Sequence, residues 1–188
     1  MTRITRAQAL CASLMAAAFA GPALAALAVG AMAPDFTAQA SLGGKEYQFS
    51  LADALKKGPV VLYFYPAAFT KGCTIEAHDF AAAMPQFAAL GATVIGVSHD
   101  TIDTLDRFSV SECRSKFPVA ADPDETVIKS YDAVLPIKPQ YANRTSYVIA
   151  PDHTILLAYT DLNPDQHVAQ TLAAVKKWRD EHPQTETK

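Results

Sequence analysis

Cysteine is scarce, with three residues in 188, at positions 11, 73 and 113. No two of them stand as Cys-x-x-Cys, which excludes a disulfide oxidoreductase built on that motif at a helix start. The histidines at 78, 99, 153, 167 and 182 share no ligand spacing with them, so a zinc site is excluded and neither metal nor cofactor is expected. An excess of positive charge is missing as well. Sixteen Lys and Arg against nineteen Asp and Glu give a formal net charge of −3, which offers nucleic acid no electrostatic footprint. No apolar run reaches the roughly 20 residues that span a bilayer, so no membrane anchor is expected. Repeats, linkers and low-complexity segments are absent too. What remains is a globular composition, 50% hydrophobic and 19% charged, of a length that suits one domain.

The first residues stand apart from that domain. Arg3 and Arg6 precede a short Ala/Leu/Met/Phe run to Ala20, broken by Gly21-Pro22 ahead of Ala23-Leu24-Ala25. This is a secretory signal pattern, with cleavage expected between Ala25 and Ala26. Ile4 and Thr5 separate the arginines, so there is no twin-arginine pair, and Leu10 is too large for lipoprotein cleavage at Cys11. The expected organisation is a leader over 1–25 and one domain over 26–188, exported to the periplasm or secreted. Cys73 and Cys113 then remain as an even pair in a compartment where disulfides persist.

Along that domain, segments 36–40 and 46–49 flank Gly43-Gly44 and predict a hairpin. Ser50 is placed to cap a brief helix over 51–55, ended by Gly58-Pro59. The run 60–65 is apolar on both faces and stopped by Pro66, a buried strand. From Cys73 to about Leu90 apolar residues recur at helical spacing (Phe80, Met84, Phe87, Leu90), with Pro85 expected to kink or split the helix. A strand over 93–97, a helix over 103–115 with Leu105, Phe108 and Val110 as core candidates, and a short strand at 119–121 follow. Then come a helix over 125–131, a pair of strands over 146–150 and 155–159 joined at Pro151-Asp152-His153, and a closing amphipathic helix over 168–179. The order predicts an α/β, thioredoxin-like fold: a central mixed sheet flanked by helices, with parallel crossovers in the middle and an antiparallel hairpin near the end.

Chemistry concentrates in the segment from Tyr65 to Glu76. Cys73 follows a buried strand by a loop and opens a helix, where backbone N–H groups and the positive end of the helix dipole favour a thiolate. Thr70 can offer its hydroxyl to the sulfur or to an oxygen bound beside it, Gly72 permits close backbone approach, and Pro66 can close the loop against water. By position alone, Cys73 could equally be a small buried side chain.

The spacing Pro66-x-x-x-Thr70-x-x-Cys73 resembles the active-site signature of peroxiredoxins, and the extension through Glu76-Ala77 is most similar to the PrxQ, or bacterioferritin-comigratory-protein, branch. The resemblance runs from Val29-Gly30 and Pro34-Asp35-Phe36, through 94–98, to Asn143-Arg144-Thr145 and the strand after it. It implies a thiol-dependent peroxidase acting on hydrogen peroxide and organic hydroperoxides, with an external thiol reductant as partner, as a monomer. It also implies that Arg144 joins Thr70 and Cys73 in holding the peroxide. Glu76, one helical turn beyond Cys73, can pair with Arg144 or simply complement the helix dipole.

The branch's common second cysteine, five residues after the first, is absent: position 78 is histidine, rotated away from Cys73 and expected at the surface. Cys113, placed on the second central helix, is the candidate resolving cysteine, since some members of the branch carry theirs on that helix. The alternatives are a one-cysteine enzyme that relies on an outside thiol and a non-enzymatic module of the same fold. His99-Asp100 reads as an ordinary loop near the site.

Overall fold

The computed structural model describes residues 26–183, so the leader expected over 1–25 lies outside the described residues. Alternation along one strand organises the whole molecule. In β3 (Val60–Phe64) every side chain is buried. Leu62 and Phe64 enter one core layer, and Val61, Tyr63 and then Tyr65 enter another on the opposite face. A strand buried on both faces has to lie at the centre of a covered sheet, and β3 does.

The hairpin strands β1 (Thr37–Leu42) and β2 (Lys45–Ser50) pair antiparallel across Gly43-Gly44. With β4 (Thr93–Ser98), β5 (Val119–Ala121), β6 (Thr145–Ile149) and β7 (Ile155–Thr160) they form one seven-stranded sheet in the order β2-β1-β5-β4-β3-β6-β7. The β3–β4 and β4–β5 pairs are parallel, and β3–β6 and β6–β7 antiparallel. This is the mixed sheet of a thioredoxin-like fold. Gly96 on β4 is required by its neighbour: a Cβ there would lie 2.7 Å from the Tyr63 ring.

One face of the sheet is covered by α1 (Leu51–Leu55), whose cap Ser50 accepts from the Asp53 N–H, and by α4 (Thr126–Ser130). The other carries α2 (Lys71–Ala89), α3 (Ile102–Ser111) and α5 (His167–Glu181), packed through Phe80, Phe87, Leu105, Phe108 and Val175.

Three expectations are corrected. Pro85 does not split α2, which runs unbroken through it. Pro85 lies on the exposed side, where water can take the carbonyl its missing N–H leaves free. Helix α3 ends at Ser111 and not Ser115, so Cys113 sits in the turn beyond it; the N–H groups of Glu112 and Cys113 both donate to Phe108 O and close the helix. Val110 is 51% exposed, because the buried face runs Leu105, Phe108, Ser109 and position 110 lies opposite.

Candidate active site

The parallel strands β3 and β4 end side by side, and the loop leaving β3 is tied to the end of β4. Tyr65 N–H donates to Val97 O, and the half-buried Pro66 then turns the chain out of the sheet. Asp100 Oδ2 accepts from Ala68 N–H at 2.7 Å and from Ser98 Oγ at 2.8 Å, so Asp100 braces this loop and does more than the ordinary loop role expected of it. Phe69 takes a left-handed backbone, φ 62°, an unfavourable setting for a bulky residue, held by its ring standing edge-on against Phe108 at 5.3 Å. Thr70 is the N-cap of α2, and its hydroxyl donates to Ala67 O at 2.9 Å, closing the loop on itself and not on the sulfur.

Cys73 lies in the first turn of α2, 1% exposed. The first amides of the helix have no intrahelical acceptor, and no side chain caps them. Arg144, placed just before β6, reaches this turn from across the sheet. Its Nη2 donates to Cys73 Sγ at 3.5 Å, its Nη1 donates to Glu76 Oε2, and its Nε donates to Leu162 O at 3.0 Å. Every edge of the guanidinium is thereby occupied, in a site where Arg144 is 4% exposed. Gly72 makes room for it: a Cβ there would stand 3.0 Å from Arg144 Nη2. Gly72→Ala is therefore expected to displace the guanidinium by a few tenths of an ångström and lower the second-order rate with peroxide about tenfold, with little change in melting temperature. Stopped-flow kinetics and a thermal melt check both.

Burial pushes the Glu76 carboxyl up to about 8, against the opposing pull of Arg144. Burial works against the Arg144 charge, but Glu76 and Cys73 outweigh it and hold the guanidinium above its already high range. Arg144 is thus a fixed cation, and the variable in the pair is the proton on Glu76. Two buried polar residues to which the sequence reading gave no role at the site, Ser146 and His167, complete the surroundings. His167, fully buried at the start of α5, sits with Nδ1 2.8 Å from Ser146 Oγ and 3.6 Å from Glu76 Oε1, and with Nε2 2.8 Å from Asp161 O. Burial and then the Arg144 charge lower the basicity of the ring.

Cys113 is a second buried free thiol in the same core layer as Cys73, and burial holds it well above the ordinary thiol range. The residue before it, Glu112, meets His78 across 3.0 Å, which links α2 to the turn. Arg114 and Ser115, which follow, both have left-handed backbones, φ 53° and 54°. His78 is partly exposed, as its spacing from Cys73 predicts. Among the described residues no cluster of His, Cys, Asp or Glu could hold a metal.

Comparison with known proteins agrees with this fold. Residues 29–158 match the AhpC/TSA family. The chain is 32% identical over 123 residues to peroxiredoxin Bcp of Xanthomonas campestris pv. campestris, covering 62% of this chain and 76% of that one. The crystal structure of peroxidoxin BcpB from Mycobacterium tuberculosis superposes with a TM-score of 0.71 at 31% identity, over 79% of this chain and 96% of that one. A mutant PrxQ of Xylella fastidiosa does so with a TM-score of 0.72 at 27% identity, over 81% and 97%. A match over most of the domain, a thioredoxin-like sheet and a cysteine at the head of α2 beside a buried arginine lead to one assignment: the chain belongs to the AhpC/TSA family, as a peroxiredoxin of the Bcp/PrxQ branch, a thiol-dependent peroxidase.

Proposed function

We propose that Cys73 is the peroxide-reacting thiol of an exported, monomeric two-cysteine peroxidase, with Arg144, Thr70, Glu76 and Pro66 shaping its site and Cys113 resolving the oxidised sulfur. The observation that carries this reading is the Arg144 guanidinium within hydrogen-bond reach of the Cys73 sulfur at the head of a helix. A fixed cation there favours the thiolate and faces the charge that develops on the departing oxygen. The thiolate attacks the terminal oxygen of ROOH, the O–O bond breaks, and RO⁻ leaves and takes up a proton. Sulfur is oxidised to the sulfenic acid and the peroxide is reduced to ROH. Thr70 Oγ1 donates to Ala67 O and keeps its lone pairs free to accept from the hydroperoxide O–H. Phe69, 47% exposed in the loop beside Thr70, offers an apolar contact that suits an alkyl group, which supports organic hydroperoxides beside hydrogen peroxide. Export rests on the leader pattern over 1–25.

In the resolving step Cys113 condenses with the Cys73 sulfenic acid to a disulfide and water, and an external dithiol reopens it by exchange. As folded, Cys113 is too buried to ionise, so its turn has to open first. The two consecutive left-handed residues after it favour opening, because leaving that conformation relieves strain. The same burial supports a second reading, in which Cys113 stays inert and an outside thiol attacks Cys73 directly.

Intact-mass spectrometry after one equivalent of hydrogen peroxide, with non-reducing peptide mapping, separates the readings. Loss of two hydrogens with a Cys73–Cys113 crosslink is the expected result. One added oxygen on Cys73 with Cys113 free would establish the one-cysteine enzyme, and an unchanged mass would refute Cys73 as the reacting thiol.

A further inference from the structure

Glu76 Oε1 is a fully buried carboxyl oxygen with no hydrogen-bond partner, aimed at His167 Nδ1 3.6 Å away. An orphaned buried oxygen beside a ring nitrogen points to a proton between them, and the surrounding hydrogen bonds say where it can sit. Asp161 O can only accept, so His167 Nε2 carries a hydrogen. In the neutral ring Nδ1 is then a bare acceptor, filled by the Ser146 hydroxyl. An ionised Glu76 would set Oε1 against that lone pair with nothing to bond. One proton resolves the conflict, either on Oε1 or on Nδ1, where N–H can serve Ser146 Oγ and Glu76 Oε1 together.

We propose that Glu76 and His167 together retain one proton, and that this proton keeps the net charge beside Cys73 positive. With it, Arg144, Glu76 and His167 sum to +1 in either arrangement, which balances the Cys73 thiolate. Without it they sum to zero and the thiolate stands uncompensated. His167 is on this view a positioning residue, acting on sulfur through Glu76 and Arg144. The inference rests on Cys73 being the peroxide-reacting thiol.

Other ionisable groups facing the pair do not supply the same control. Glu76 is faced by Arg144 on the β6 side, by Asp79 and Cys73 on its own helix, and by Tyr63 of β3. His167 is faced by Arg144 and Asp161, with the Tyr159 ring of β7 edge-on at 4.8 Å. Arg144 and the tyrosines keep one charge through neutral pH. Asp79 and Asp161 lie outside the orphaned contact.

The test is the pH profile of the second-order rate of Cys73 oxidation by hydrogen peroxide, followed by stopped flow. Wild type is expected to lose rate on an alkaline limb centred near the pH where Glu76 titrates, about 8. Glu76→Gln, neutral at every pH, is expected to abolish that limb whatever it does to the plateau. His167→Asn, which keeps a polar group near the Nδ1 position but cannot take the proton, is expected to move the limb at least about one pH unit lower, a rate roughly fivefold or more below wild type at pH 8. A flat wild-type profile, a limb that survives Glu76→Gln, or one that His167→Asn leaves in place would each overturn the proposal, and the wild-type profile decides even if a variant does not fold. Peroxide turnover that survives Cys73→Ser would instead overturn the underlying reading of Cys73.

Discussion

Cys73→Ser is expected to reduce peroxide consumption to the uncatalysed background while leaving the fold in place. The chemistry is unforgiving of the change. A hydroxyl at this position stays protonated where a thiol beside a cation can ionise. Even an alkoxide attacking a peroxide would only exchange one O–O bond for another, whereas sulfur converts O–O into S–O and gives a product that a second thiol can reduce. The structural cost is small. Serine is nearly isosteric, and in a site that is 1% exposed its hydroxyl finds a donor in Arg144 Nη2, which avoids the penalty of about 1–3 kcal/mol for a buried unpaired polar group. The checks are a peroxide-consumption assay with excess reductant and a thermal melt of the same preparation. Turnover that persists at a tenth of wild type or more would place the reacting thiol elsewhere, with Cys113 the remaining candidate among the described residues.

The parts legible in the sequence were those that a period or a turn residue dictates. Val60 to Tyr65 has to be a central strand because both of its faces are apolar, and Phe80 and Phe87 fix the buried side of α2 by their spacing. Sequence signals failed where no residue type marks the boundary. Helix α3 stops early because two amides converge on Phe108 O, with no glycine or proline to announce it. At the site, Pro66, Thr70 and Cys73 were legible as a spaced motif, Arg144 only through the family resemblance, and the pairing of Glu76 with Arg144 as one of two open alternatives. The Thr70 hydroxyl, free on paper, is spent on Ala67 O. Asp100 was read as an ordinary loop, and Ser146 and His167 were given no role at the site, because each acts through hydrogen bonds that the fold assembles: Asp100 at Ala68 N–H, His167 between Ser146 and Asp161. A histidine one residue before the start of an expected helix gives no sign that it will be fully buried.

Arg144→Ala carries the second large expected effect, a fall of about 10²–10³ in the second-order rate with peroxide, the loss typical of removing a preorganised donor from a developing oxyanion. The guanidinium is tied at Leu162 O and Glu76, so its Nη2 is aimed at the sulfur before substrate arrives and no reorganisation is needed at the moment of reaction. Arg144→Lys separates charge from geometry: an ammonium keeps the positive charge but cannot bond Leu162 O, Glu76 and Cys73 along one plane, so it should recover only part of the loss. Stability should respond differently. Removing one partner of a buried ion pair costs about 3–5 kcal/mol when the other must stay charged. Glu76 need not stay charged, because burial already pushes its carboxyl up to about 8 and loss of Arg144 removes the opposing pull. A carboxyl raised in the folded state favours folding while it holds its proton, fully so below its ordinary range, and this contribution fades as the pH rises through the folded value. The Arg144→Ala variant should therefore melt close to wild type at pH 5 and fall progressively behind as the pH is raised past neutrality. Urea melts at several pH values check this. A deficit already complete at pH 5 would mean that Arg144 holds the fold through packing and its Leu162 contact, and a rate within tenfold of wild type would demote it from transition-state stabilisation to structure.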